Sequence, residues 1–231
     1  MESPQQQTQQ QLSGRAPYFY GPEGTLVQVD FALEAVNRGS TTVGIKTQEH
    51  AVLASQLKPT RPLIDPSEKV FQIDDHLGAT GAGYIGDVLK LVQELRVEAQ
   101  RHNLTFGSPI DVKTSAEGLS SYLHQYTIYA VRPLGASVIM TGIDPTGLQL
   151  YQVDPSGTFF RGSAFAIGHS SDQAIELIQR KYDPRMSLEG LTALATEAIR
   201  SATNEQDSPI EMGIVSKATS KFVKAAPVLA S

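Results

Sequence analysis

The chain has 231 residues, of which 40% are apolar and 19% charged, and its formal net charge is -5. That composition fits an ordinary folded protein and excludes a disordered one, while the acidic balance removes the basic surface on which nucleic-acid binding depends. Cysteine is absent, which excludes disulfides, thiolate metal sites and cysteine nucleophiles. No apolar run approaches the ~18 residues that span a bilayer and no secretory leader pattern opens the sequence, so a soluble cytoplasmic protein without nucleic-acid or membrane partners is expected.

Residues 1–14 begin with a polar stretch carrying Gln5, Gln6, Gln7, Gln9 and Gln10 and offer almost nothing to bury, so they are predicted to form a mobile tail ahead of a single domain over 15–231. Gly21-Pro22-Glu23-Gly24 is a turn signal. Leu26, Val29, Leu33 and Val36 then recur at helical spacing up to Arg38-Gly39, which predicts a short amphipathic helix.

Next, Thr41 to Ile45 and Ala51 to Ala54 are β-prone runs around the polar Gln48-Glu49-His50, a predicted hairpin. Val70 to Ile73 and Leu77 to Ala82 predict two further strands. Val88, Leu89, Val92, Leu95 and Ala99 mark a long helix from Ile85, and Leu119, Leu123, Tyr126 and Ile128 a second. Strands return at Ala136 to Gly142 and Gln149 to Val153, with Asp154-Pro155-Ser156-Gly157 turning into Thr158-Phe159-Phe160. Helical spacing reappears at Ala174, Ile175, Leu177 and Ile178 and at Leu188, Leu191, Leu194, Ala195 and Ile199, before a last predicted strand near Met212 to Ser216. Strands and helices grouped in this way predict an α+β fold, two stacked antiparallel sheets with helix pairs over the outer faces.

Other chemistry finds little support. His50, His76, His102, His124 and His169 lack the short spacings of a metal site, so neither metal nor cofactor is expected. His169-Ser170 lacks the nucleophile-elbow pattern. Gly78, Gly81 and Gly83 precede a helix without the lysine of a phosphate loop, and close backbone packing is their expected use.

The segment Gly21-Pro22-Glu23-Gly24-Thr25-Leu26-Val27-Gln28-Val29-Asp30-Phe31-Ala32-Leu33-Glu34-Ala35-Val36 closely resembles the signature of proteasome alpha-type subunits. The stretches Arg38 to Thr41, Glu68 to Phe71, Tyr126-Thr127 with Val131 to Gly135, and Asp154 to Gly157 with Ala166 to Gly168 extend the resemblance to nearly the whole folded chain. It implies the four-layer αββα sandwich of N-terminal-nucleophile hydrolases in a noncatalytic role. The implied assembly is a seven-membered ring of alpha subunits stacked on beta subunits, gating the entry of unfolded protein substrates and docking the C-termini of an ATP-driven unfoldase or another activator. The implied location is the cytoplasm, and the nucleus also in a eukaryotic source.

By the same resemblance, Lys69 meets the activator carboxylate, with Gly39, Leu26 and Val29 forming the pocket's glycine and apolar wall. Pro22 centres a reverse turn at the pore, Phe31 replaces the helix tyrosine, and Ser13-Gly14-Arg15 retains only the cation of the gate motif. The helix itself is expected to bury its apolar stripe between neighbouring subunits. The alternative is a catalytic beta-type threonine peptidase cut near Ser40 or Thr41, which needs a free α-amino group as base with Lys69 as the catalytic lysine. Gln56 stands at the position where that alternative requires an aspartate.

Overall fold

Among the residues described, the β-prone runs and amphipathic segments become ten strands and five helices. The computed structural model describes residues 20, 21, 24–57, 63, 64, 67–129, 131–203 and 207–228. In chain order the elements are α1 (Val27–Asn37), β1 (Thr42–Lys46), β2 (His50–Gln56), β3 (Val70–Asp74), β4 (Leu77–Gly83), α2 (Ile85–Phe106) and α3 (Val112–Ile128). They continue with β5 (Ala136–Asp144), β6 (Gly147–Val153), β7 (Phe159–Arg161), β8 (Ala164–Ile167), α4 (Ser171–Lys181), α5 (Leu188–Ser201), β9 (Ile210–Ser216) and β10 (Phe222–Val228). None of the described helices is long and apolar enough to cross a membrane.

Local chemistry sets many boundaries. The β1–β2 hairpin pairs Thr42 with Ser55 and Lys46 with Ala51, and its turn is closed by the Thr47 hydroxyl, which accepts from the His50 N–H at 3.1 Å. Helix α2 stops at Gly107, which adopts φ 68°, the left-handed cap that glycine takes without a Cβ clash. Helix α5 starts at Ser187, whose hydroxyl accepts from the Gly190 N–H.

Two antiparallel sheets result, one ordered β10-β9-β2-β1-β8 and the other β3-β4-β5-β6-β7. Three apolar layers separate them from each other and from the helices. Val88, Leu91, Leu95, Leu119 and Leu123 of α2 and α3 pack on Phe71, Val138 and Met140 of the second sheet. On the opposite side, Ile178, Leu191 and Leu194 of α4 and α5 pack on Val43, Ile45 and Val52 of the first. Between the sheets lie Leu53, Val70, Ile139, Leu150, Val215 and Phe222. Both faces of the central strands are therefore covered, and this is why they read as near-continuous apolar runs rather than alternating ones. The arrangement is the αββα sandwich.

Several details depart from the sequence reading. Leu89, counted on the buried stripe of α2, is exposed, and Leu91 takes that place; Ile128 is exposed as well. Strand β8 had no predicted counterpart, and β9 is followed by β10, a further strand on the sheet's edge. Pro227 sits in β10 at a register shift between Ala225 and Val228, an edge position where a missing N–H costs no ladder bond. On α1, Val29, Ala32 and Val36 are buried within the same chain, where α1 packs over β4 and β5, while Leu26 and Leu33 of the stripe stay half-buried.

Phe222, at the start of β10, closes the end of the sandwich. Its ring lies over Gly78 of β4 and Gly213 of β9, where a Cβ would collide with it, and its N–H donates to the Asp75 carbonyl at 2.7 Å. Gly78 is thus the packing glycine that the sequence predicted.

A buried carboxylate fixes the start of α2. Asp87, 5% exposed, receives both terminal nitrogens of Arg132, at 2.6 and 2.9 Å, and the Gly135 N–H at 2.8 Å. Burial alone would raise its pKa, but these hydrogen bonds and the Arg132 charge outweigh burial and hold the carboxyl below its ordinary value. The Arg132-Pro133-Leu134-Gly135 stretch is therefore a loop clamped to the first turn of α2, and α1 rests on it through Ala35 beside Gly135.

Two outcomes are expected. Phe222→Ala should leave a cavity between the sheets and lower the unfolding free energy by about 3–5 kcal/mol, measured by urea titration. Because the folded pKa of Asp87 is depressed, its stabilisation is present above the unfolded value of about 3.9 and is lost as pH falls through the folded value. Asp87→Asn should therefore lower the thermal midpoint at pH 7 and narrow its gap to the parent protein as the pH drops below about 4.

Candidate functional site

The junction between α1 and β1 is where the two functional readings diverge. Helix α1 ends as the Gly39 N–H donates to the Val36 carbonyl at 2.8 Å. Gly39 then lies against the Gly83 backbone, so close that a Cβ would collide with the Gly83 nitrogen. One residue on, the Ser40 carbonyl packs against Gly168 with the same lack of room, and Gly168 sits at φ +91°, a backbone state that favours glycine. Main chain from α1, β4 and the β8–α4 loop meets here with no side chains between.

His169 completes the joint through its backbone rather than its ring. Its N–H donates to the Gly39 carbonyl at 3.1 Å, and its carbonyl accepts from the Thr41 hydroxyl at 2.8 Å. The Thr42 hydroxyl is 2.7 Å from that of Ser55. Ser40, Thr41 and Thr42 are all buried, at 3%, 0% and 0% exposure, so neither threonine presents a hydroxyl to solvent. Gln56, also buried, donates from its side chain to the Thr203 hydroxyl at 3.0 Å. An amide in this place supplies no carboxylate for a threonine mechanism.

Lys69 stands just before β3 and is half-buried. Its N–H donates to Glu211 Oε2 at 2.7 Å and its carbonyl accepts from the Thr80 hydroxyl at 2.8 Å. Gly39, by its contact with Gly83, sits three residues further along the same strand β4 from Thr80. Leu26 and Val29 line a different place, a shallow cleft shared with Gln28, Tyr126, Thr127, Val131 and Pro133. Thus Lys69 and the buried Gly39 each touch β4, at Thr80 and Gly83, and Leu26 and Val29 line a cleft beside the clamped Arg132–Gly135 loop.

Of the gate residues, Arg15 and Pro22 lie outside the described residues. Among the described residues beside Pro22, the Gly21 N–H donates to the Thr25 carbonyl at 2.7 Å and Tyr20 bridges to Leu26. Phe31 is 57% exposed on the outer side of α1.

The histidines occupy structural positions. His76 Nε2 lies 2.7 Å from the Ile110 carbonyl, His102 Nδ1 lies 3.1 Å from that of Ser108, and His124 sits against Thr127 and Ser156. Among the described residues no group of His, Asp or Glu is placed to hold a metal ion.

Sequence reasoning did not single out Asp87, Glu211 or Thr80. Asp87 leaves a faint trace as an acid in the first turn of a helix, but its partner lies 45 residues away. Glu211 reads as an ordinary polar residue in a strand, and only the stacking of two sheets reveals that it reaches across.

Comparison with known proteins bears directly on this geometry. A family model described as "Proteasome subunit" matches residues 36–215. Proteins named "Proteasome subunit alpha" are similar along most of their length. That of Methanothermobacter thermautotrophicus is 36% identical over 213 residues, 90% of this chain and 86% of the relative. That of Methanopyrus kandleri is 38% identical over 208 residues, covering 88% and 85%, and that of Methanococcus vannielii is 40% identical over 214, covering 91% and 82%. With the match running from the end of α1 to β9, the chain belongs to the proteasome subunit family, and these relatives within it are alpha subunits.

Proposed function

We propose that the chain is a noncatalytic subunit of the proteasome alpha ring, forming a gated entry pore for unfolded protein substrates and a docking surface for activators. One observation carries the reading. The α1–β1 junction is built into the core, with Val29, Ala32 and Val36 buried and Thr41 spent on the His169 carbonyl. A threonine peptidase needs the opposite arrangement, a freed α-amino group beside an accessible hydroxyl, with charged neighbours to set their pKa values. Here the nitrogen of Thr41 lies within a peptide bond inside the buried joint, and Gln56 stands where a carboxylate is required. The alpha-subunit names of the relatives support the same role, and no feature of the site favours the beta-type peptidase.

The partners on this reading are other alpha subunits in a seven-membered ring, the beta subunits beneath, and the C-termini of an ATP-driven unfoldase or another activator above, in the cytoplasm. Lys69 supplies the cation for the activator's terminal carboxylate, a charge-assisted contact that strengthens as water is excluded. Lys69 and Gly39 are not among the residues lining the cleft of Leu26 and Val29, and on this reading a pocket using all four is completed between adjacent subunits. The polar stretch 1–14, the turn at Pro22 and the exposed ring of Phe31 are assigned to the gate, with Arg15 as its cation.

Two measurements test this. The chain recovered from assembled core particles should retain residues 21–40 by intact mass, and a covalent threonine-directed inhibitor should leave it unlabelled; a mature chain beginning at Ser40 or Thr41 that takes up the inhibitor would establish the peptidase instead. Removing residues 1–12 should raise hydrolysis of small fluorogenic peptides by the particle several-fold, because the polar segment assigned to the pore is lost. An unchanged rate would remove the tail from the gate.

A further inference from the structure

At the end of β3 away from Lys69, the turn before β4, the α2–α3 connection and the β5–β6 turn border an open cleft of about 690 Å³. His76 belongs to the buried part of its lining, at 8% exposure, and His76 Nε2 lies 2.7 Å from the Ile110 carbonyl, which ties the α2–α3 connection to the start of β4. The first turn of α3 would favour an anion here, but Asp144 already answers it, since Asp144 Oδ2 accepts from the Val112 N–H at 3.2 Å.

The lining offers a ligand acceptors and an aromatic face. Asp111 and Asp144 both line the cleft, and no lysine or arginine does. Asp111 is exposed, and its side chain makes no capping bond to α3. A third acid, Asp74, lies 3.8 Å from His76 Nδ1. His102 Nδ1 is 3.1 Å from the Ser108 carbonyl; a carbonyl only accepts, so that nitrogen carries the hydrogen and Nε2 of the neutral ring is left as a bare acceptor. Phe106, in the last turn of α2, is 69% exposed, with its ring centre 4.6 Å from that of His102. Ile143, Pro109 and Pro145 supply apolar walls.

We propose that this cleft receives an arginine side chain of a protein partner. A guanidinium only donates and is always charged, the inverse of a lining with two carboxylates, a histidine acceptor and no cation. Its flat face matches the exposed ring of Phe106, and its methylenes match the walls of Ile143, Pro109 and Pro145. A lysine ammonium would match the charge but not the ring, and an anion would meet the carboxylates with nothing to offset their repulsion. The cleft is separate from Lys69 and from the α1–β1 junction, so its assignment stands or falls independently of theirs.

The test is fluorescence anisotropy with the full-length chain. The probes are three labelled pentapeptides, identical except for a central arginine, citrulline or lysine. Citrulline keeps the shape of arginine and removes its charge. The arginine peptide should bind about tenfold more tightly than the citrulline peptide, the scale of one charge-assisted contact, and about threefold more tightly than the lysine peptide. Equal binding of arginine and citrulline would overturn the site, and equal binding of arginine and lysine would overturn its assignment to arginine.

Two variants locate the binding. Asp111→Asn should weaken the arginine peptide about threefold or more and leave the citrulline peptide unchanged, with the loss shrinking as salt is raised. Phe106→Ala should erase the preference for arginine over lysine. Glu189→Gln, which removes an exposed acid at the start of α5 on the opposite face of the sandwich, should change none of the three affinities. Preferences that survive both Asp111→Asn and Phe106→Ala, or that fall equally in Glu189→Gln, would overturn the cleft as the site. Asp111 and Phe106 are both exposed, so neither substitution removes core packing.

Discussion

The closeness of three backbones at the α1–β1 junction is the constraint on which the rest depends. Gly39 against Gly83 and Gly168 against Ser40 leave no space for a Cβ, so helix α1, strand β4 and the loop before α4 meet main chain to main chain. An interface of this kind is as dense as a protein interior. It makes the N-terminal helix part of the folded body rather than a leader lying on it, and it brings Thr41 to a carbonyl instead of to solvent. The role of a structural subunit follows from that packing more than from any missing catalytic group.

The surrounding frame serves the joint from both sides. Asp87 holds the Arg132–Gly135 loop on which α1 rests, so an ion pair at one end of α2 supports the helix that lines the apolar cleft of Leu26 and Val29. At the opposite edge Phe222 wedges the two sheets over Gly78 and Gly213, and two residues further along the same strand Lys224 reaches Glu211 and the start of β3. The inter-sheet layer therefore does more than exclude water, because one of its polar residues sets the main chain that carries Lys69.

Much of this was legible in the sequence, for physical reasons. Helix α1, the β1–β2 hairpin and the other four helices announce themselves through apolar spacing, and Gly78 was readable as a packing glycine. Strand β8 is only Ala164 to Ile167 and too short to show a period. Strand β10 carries Lys224, Ala225, Ala226 and Pro227, a composition that disfavours a strand except at a sheet edge. Leu89 was assigned to the core of α2 in place of Leu91 because neighbouring apolar residues blur a helical stripe by one position. The stripe of α1 is covered in part on β4 and β5, with Leu26 and Leu33 left half-buried. As for the site, Lys69 and Gly39 were named from resemblance alone. Glu211, which bonds the main chain of Lys69, and Asp87, which holds Arg132, act across 142 and 45 residues of sequence, distances at which no local pattern reports.

Native-state amide hydrogen exchange addresses the central claim most directly, since protection reports how firmly each segment belongs to the folded core. The amides of Gly39, Gln56 and His169, which bond Val36, Thr41 and Gly39 respectively, should exchange as slowly as those in the middle of β2. Exchange at Gly39 and His169 as fast as in an unstructured leader, with β2 still protected, would contradict the account.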